Sequence, residues 1–249
     1  MGIPSTQNFL SKFGFSKSRL APDLSLALGS SSFSPAEMAR AYAILANSEN
    51  TKDPYFIEKI IDRSGRIIFQ HPVKDDVNKD QKLIEAFPWF KTQLADEIKP
   101  FLLLPPLEKS LEPIDPRISF ITKDILREAL SRGSNARKVQ ILNRKDIAGK
   151  TGTTNDAIST WFSGFHNNLV STIWVGTDDF SSLGDNEFGS SIALPTWVDF
   201  MKTALVDLPE DNWESPKGIS YVKVDRESGK PTTERSKNSY FELFLDEDI

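Results

Sequence analysis

Apolar positions along the chain recur at helical spacing in three places and at strand spacing in several others. In "SFSPAEMARAYAILANSEN", Met38, Ala41, Tyr42 and Leu45 share one helical face. Ser34 is placed as an N-cap, Pro35 as the first helical residue, and Glu37 completes a capping box, so a helix starts at Ser34. "YFIEKIIDRSGRIIFQ" holds two β-rich runs around Arg63-Ser64-Gly65-Arg66 and reads as a hairpin. "DPRISFITKDILREALSRGSN" is a second helix: Asp115 caps it, Pro116 begins it, Gly133 ends it, and Ile118, Ile121, Ile125, Leu126 and Ala129 form its stripe. "WFSGFHNNLVSTIWVGTDD" reads as two strands joined by a tight turn at Asn167-Asn168. "ALPTWVDFMKTALVDL" is a third helix with Trp197, Met201, Ala204 and Leu205 on one side. The tail holds a strand and a turn in "ISYVKVDRESGKP" and finishes acidic in "LDEDI".

Helix, hairpin, helix, consecutive strands and helix, in that order, predict an α+β fold: an antiparallel sheet with helices packed on it. The region from Lys74 to Pro116 differs. It is charged in "VKDDVNKDQK" and Pro-rich in "LLLPPLEKSLEPIDP", and it reads as an insertion with a short helix around Leu83–Ile98.

Composition narrows the chemistry. The 249 residues include no Cys and two His, His71 and His166, which argues against disulfides, thiol-ligated metal and a His-rich metal site. A net charge of −5 leaves no nucleic-acid footprint. No apolar run approaches the ~18 residues of a membrane span, and "MGIPSTQNFLSKFGF" lacks the features of a signal peptide. No cofactor and no metal is expected.

The chemistry concentrates in "DIAGKTGTTND", Asp146 to Asp156. Gly149-Lys150-Thr151 matches the end of a phosphate-binding loop. That loop needs a Gly five residues before its second Gly, where Arg144 stands, and a helix starting at the Lys, where "TGTTND" follows. The alternative is a K-T-G element, Lys150-Thr151-Gly152, of serine acyl-transferases that act on D-alanyl peptides and β-lactams. There the Lys supplies positive charge for a substrate carboxylate and for proton transfers. Thr hydroxyls bond the carboxylate, and Gly152 removes a side chain where substrate lies along a sheet edge. The backbone N–H of Thr153 serves an oxyanion hole. Strand alternation puts Lys150 and Thr151 on opposite faces, so this reading needs an edge strand and the long Lys stem.

The wider context resembles the transpeptidase domain of class A penicillin-binding proteins, the bifunctional peptidoglycan synthases, with the nearest likeness to the 1A type. The resemblance runs in the family's order through "SLALGSSSFSPAEMARAYAILAN", "DILREALSRGSNARKV", "DIAGKTGTTND", "WFSGFHNNLVSTIWVGTDD" and "ALPTWVDFM". It implies the penicillin-binding/β-lactamase-like transpeptidase fold, incomplete at its N-terminal side, and D,D-transpeptidation of peptidoglycan stem peptides through an acyl-serine, with β-lactams as suicide substrates. It assigns catalytic roles to Lys150 and the Thr153 N–H, and substrate binding to Thr151, Gly152 and Thr153. Residues 1–73 and 117–207 are then parts of the transpeptidase domain, 74–116 the insertion and 208–249 a tail. The full-length relatives this implies are membrane-anchored at the periplasmic face of the inner membrane and associate with other cell-wall synthesis proteins.

Two family motifs are missing. The S-x-x-K that holds the nucleophile occurs only as Ser220-Tyr221-Val222-Lys223, after K-T-G and in a predicted strand, where positions i and i+3 point apart. S-x-N occurs at Ser48-Glu49-Asn50 and Ser236-Lys237-Asn238, neither at the family's position. The Asp of the family's D-x-W-F segment is also absent from Ile158-Ser159-Thr160-Trp161. The expectation is therefore the C-terminal part of a transpeptidase domain, inactive alone and prone to associate through open sheet edges. The rival is a non-catalytic remnant that binds cell-wall peptide or a partner protein. A β-lactamase-like hydrolase is disfavoured by the long tail beyond Leu208. Remaining features read as structural: Trp161, Trp174 and Trp197 as packing, Ser34 as a cap, Asp178-Asp179 as a turn, and His166 as a solvated loop residue.

Overall fold

A computed structural model describes residues 2–48, 57–70, 114–233 and 238–249. The chain divides into two compact units, Met1–Thr51 with Leu111–Ile249, and Lys52–Ser110. In the second, the described part is a hairpin of β1 (Lys59–Ile61) and β2 (Ile67–Gln70). Its turn is shaped by Asp62, whose carboxylate accepts the N–H groups of Ser64 and Arg66, and by Gly65 at φ 84°. The helix expected around Leu83–Ile98 lies outside the described residues.

The first unit is built on a three-stranded antiparallel sheet in the order β3 (Ala148–Thr153), β4 (Ser159–His166), β5 (Leu169–Gly176). His166 pairs with Leu169, so Asn167-Asn168 is the two-residue turn its sequence predicts. Both faces are covered. On one, Phe162 packs against Trp197 of α5 (Ala193–Ala204), 4.8 Å between ring centroids, and Met201 and Leu205 continue that layer with Leu130 and Ile147. On the other, Ala148 and Phe165 meet Ala46 and Tyr42 of α2 (Pro35–Ala46). The helix α1 (Ile3–Ser11) contributes Phe9 to a third cluster, with Phe13, Ala41, Ile44 and Ile114. A separate hairpin, β6 (Ile219–Asp225) with β7 (Ser239–Leu245), ends the chain. Arg117 links its end to the segment around Asp115 by pairing with both Asp115 and Glu247.

The capping box of α2 is present in both directions: Ser34 Oγ accepts Glu37 N–H, and Glu37 accepts Ser34 N–H. The Glu37 carboxyl stays below the usual range although burial pushes it up, because bonds from Ser34 and Arg19 outweigh that cost. The next helix, α3 (Pro116–Ser131), starts at its predicted Asp115 cap and Pro116, but two details differ. Gly133 opens a further short helix, α4 (Gly133–Val139), rather than closing α3. The buried face of α3 is Ser119, Phe120, Lys123 and Leu130, and Ile125 is exposed. The reason is hydrogen bonding. Ser119 Oγ donates to Leu45 O and Lys123 Nζ to Ala46 O, so two polar side chains satisfy carbonyls at the end of α2. An apolar count cannot see that face.

Candidate functional site: the edge strand Lys150–Thr153

β3 lies at one edge of its sheet, with β4 as its strand neighbour. The register pairs Lys150 with Ser163, Thr151 with Phe162, Gly152 with Trp161 and Thr153 with Thr160. Just past the strand, Thr154 N–H donates to Ser159 O at 3.0 Å. Antiparallel ladders alternate bonded and non-bonded pairs, so Gly152/Trp161 and Lys150/Ser163 are the bonded pairs. The N–H and C=O groups of Thr151 and Thr153 therefore point away from β4, toward the open edge.

Lys150 shares its face with Ser163 and Trp161, and Thr151 and Thr153 share the opposite face with Phe162 and Thr160. The Lys150 stem bridges the difference. Its side chain is exposed, and its ammonium donates to Thr151 O at 3.2 Å, which places the charge on the open edge. Gly152 leaves that approach low: a Cβ there would lie 3.2 Å from Trp161 Cβ. Beside it, Trp161 and Trp174 pack across the strands, their rings tilted by 55° with centroids 6.2 Å apart. The hydroxyl of Thr153 is already used: its Oγ1 accepts the N–H of Gly189 at 3.0 Å. The structure thus brings Lys150, Thr151, Gly152 and Thr153 to one edge.

Ser220 and Lys223 lie in β6, where Ser220 Oγ donates to Asp246 at 2.7 Å. Residues 49, 50, 236 and 237 of the two S-x-N matches lie outside the described residues. Ser163, opposite Lys150, is buried and accepts a bond from Thr172 Oγ1 at 3.0 Å.

At the other end of the strands a buried polar cluster anchors the site. His166 belongs to it, which corrects its reading as a solvated loop residue: it is 1% exposed, and its Nε2 lies 3.1 Å from Asp146 Oδ2, without the alignment of a hydrogen bond. Its Nδ1 accepts Asn168 N–H, so the turn sets the ring's orientation. Arg144 grips Asp146 with two bonds, 2.8 and 2.5 Å, and also donates to Leu208 O and Pro209 O. Asp146 also accepts Asp211 N–H at 2.7 Å. Burial pushes the Asp146 carboxyl up, but the bonds from Arg144 and Asp211 outweigh it and hold it below the usual range. Next to this, Lys123 Nζ donates to Asn167 Oδ1 at 2.8 Å and sits 4.5 Å over the Trp213 ring. The network ties the segment before β3 to the chain that follows α5. Arg144, the residue that stands where a phosphate loop needs glycine, is its centre.

Comparison with known proteins decides the family. A model of the penicillin binding protein transpeptidase domain matches residues 2–176. The chain belongs to that family. It is similar to penicillin-binding protein 1A of Pseudomonas aeruginosa, 33% identical over 263 aligned positions that cover 100% of this chain and 32% of that protein. It is also similar to penicillin-binding protein 1A of Haemophilus influenzae, 31% identical over 96% of this chain and 35% of that protein. The crystal structure of the Haemophilus influenzae protein superposes with a TM-score of 0.76 at 32% identity, covering 98% of this chain and 36% of that one. The chain spans about a third of the length of these relatives. The α+β arrangement of helices on an antiparallel sheet is the one the residue pattern predicts, and the transpeptidase fold is the one the family resemblance implies. Among the described residues no helix is long and apolar enough to cross a membrane.

Proposed function

We propose that this chain is the C-terminal part of a peptidoglycan D,D-transpeptidase and supplies one wall of its cleft. Lys150 offers the cation for the carboxylate of a stem peptide or β-lactam, and Thr151 adds a hydroxyl. Gly152 keeps the edge low enough for substrate to lie along it. Thr153 N–H points at the developing oxyanion. One observation carries this reading: the Lys150 ammonium rests on Thr151 O at the same open edge toward which Thr153 N–H is directed. The reaction is acyl transfer through a serine ester, and the nucleophile comes from outside these 249 residues. The longer protein is then anchored in the inner membrane with this part at the periplasmic face, working among other cell-wall synthesis proteins.

Ser220 and Lys223 support inactivity of the chain alone, because a strand turns them to opposite faces. The same observation favours a second reading, a non-catalytic remnant that binds cell-wall peptide or a partner protein. The two differ in whether a helical S-x-x-K is supplied from elsewhere in the gene.

Two measurements test this. Labelled penicillin incubated with the purified chain is expected to leave no covalent adduct; a stoichiometric adduct refutes the inactivity. Titration with N-acetyl-D-alanyl-D-alanine, followed by NMR, is expected to shift the amides of Gly152 and Thr153. Unmoved amides there would remove the case for a substrate wall.

A further inference from the structure

We propose that the segment between β5 and α5 is a strap that positions the oxyanion donor, with Gly189 as its keystone. This rests on the reading of Thr153 N–H given above. The strap grips the chain after K-T-G at three points. Ser182 Oγ donates to Asp156 O at 2.6 Å, Leu183 N–H to Ala157 O at 3.0 Å, and Gly189 N–H to Thr153 Oγ1 at 3.0 Å. The gripped turn needs holding: Asp156 and Ala157 both have positive φ, 57° and 51°, a conformation that side-chain-bearing residues adopt at a cost. Asp156 and Ala157 therefore keep that shape only while their surroundings enforce it.

Gly189 is chosen by space, not by backbone angle, since its φ is outside the left-handed region. A Cβ there would lie 2.6 Å from Trp161 O, 2.7 Å from Gly152 O and 3.2 Å from Thr151 Cβ. Two of those atoms are carbonyls of the ladder that joins β3 to β4, and they cannot swing aside as a side chain can. Any residue but glycine lifts the strap from β3. The strap is fixed on its far side as well, because Gly189 O accepts the N–H of Leu194 in the first turn of α5 at 2.8 Å. Displacing Gly189 breaks the bond to Thr153 Oγ1, and a side chain there presses on the Gly152 and Trp161 carbonyls of the ladder that holds the Gly152–Thr153 peptide, whose N–H faces the edge. Gly189 is a positioning residue and touches no substrate.

The test uses the chain itself. Gly189→Ala, Thr153→Val and Thr153→Ser are compared with the parent by amide exchange and by titration with N-acetyl-D-alanyl-D-alanine. In Gly189→Ala and Thr153→Val the affinity read at the Gly152 and Thr153 amides is expected to fall by up to about tenfold, the scale of one lost hydrogen bond. Thr153→Ser, which keeps the acceptor, should lose less affinity than Thr153→Val. The Gly189 amide should lose exchange protection in Thr153→Val and keep it in Thr153→Ser. Amides of Trp197 and Met201 report on the core; if Gly189→Ala unfolds them, the Thr153 pair decides. Parent-like affinity in both Gly189→Ala and Thr153→Val, or equal affinity in Thr153→Val and Thr153→Ser, overturns the proposal. A parent chain whose edge amides do not respond at all instead removes the transpeptidase wall on which it stands.

Discussion

Asp146→Asn isolates the ionic anchor beneath the K-T-G strand. The carboxylate is 1% exposed and accepts two bonds from Arg144 and one from Asp211 N–H. Asparagine preserves the shape but removes the charge and turns one acceptor into a donor facing donors. Breaking a buried pair in this way costs about 3–5 kcal/mol. Arg144 keeps the carbonyls of Leu208 and Pro209, and its side chain is 11% exposed, which moderates the loss. We expect a loss of about 2–3 kcal/mol at neutral pH, or a drop in Tm of about 4–12 °C for a chain of this size. Urea unfolding followed by tryptophan fluorescence at low protein concentration measures it. The pH dependence gives a second check. Because the Asp146 carboxyl is held below its unfolded value, its stabilisation is fully present above about pH 3.9 and is lost as pH falls through the folded value. The gap between parent and variant should therefore be widest at neutral pH and close in strong acid. A deficit under about 1 kcal/mol, or one that persists unchanged in acid, refutes the reasoning.

Three further outcomes follow from the same geometry. Burial lowers the Lys123 ammonium to about 8, against a partial upward pull from Asp211, so the unfolded chain binds more protons between about pH 8 and 10.4. Stability should rise with pH across that window in the parent and not in Lys123→Met; equal slopes in urea titrations would contradict this. Thr160 Oγ1 is fully buried with no partner among the described residues, so Thr160→Val is expected to stabilise the chain by about 1 kcal/mol, and a loss of stability would mean the hydroxyl is satisfied in solution. Ser34→Ala removes one arm of the capping box and should cost about 1 kcal/mol, while Ser34→Gly costs a few tenths; equal losses would point to the backbone rather than the cap.

Much of this molecule is legible in its amino-acid order because the relevant signals are local. Ser34, Pro35 and Glu37 set the start of α2 within one turn of chain. Asn167-Asn168 sets the β4–β5 register by closing the shortest loop that joins two strands. The K-T-G reading of Lys150-Thr151-Gly152 requires an edge strand, and among the described residues β3 is at an edge. What the order of residues leaves open depends on partners far along the chain. Ser119 and Lys123 are buried because the carbonyls of Leu45 and Ala46, more than seventy residues earlier, need donors. His166 is buried because Asp146 and Asn168 meet it from both sides. Thr153 has a fixed orientation because Gly189, thirty-six residues later, can approach the ladder where no side chain fits. Periodicity and capping report on neighbours within a few residues. The burial of a polar group is decided by whichever distant group satisfies its hydrogen bonds, and only the packed chain determines that.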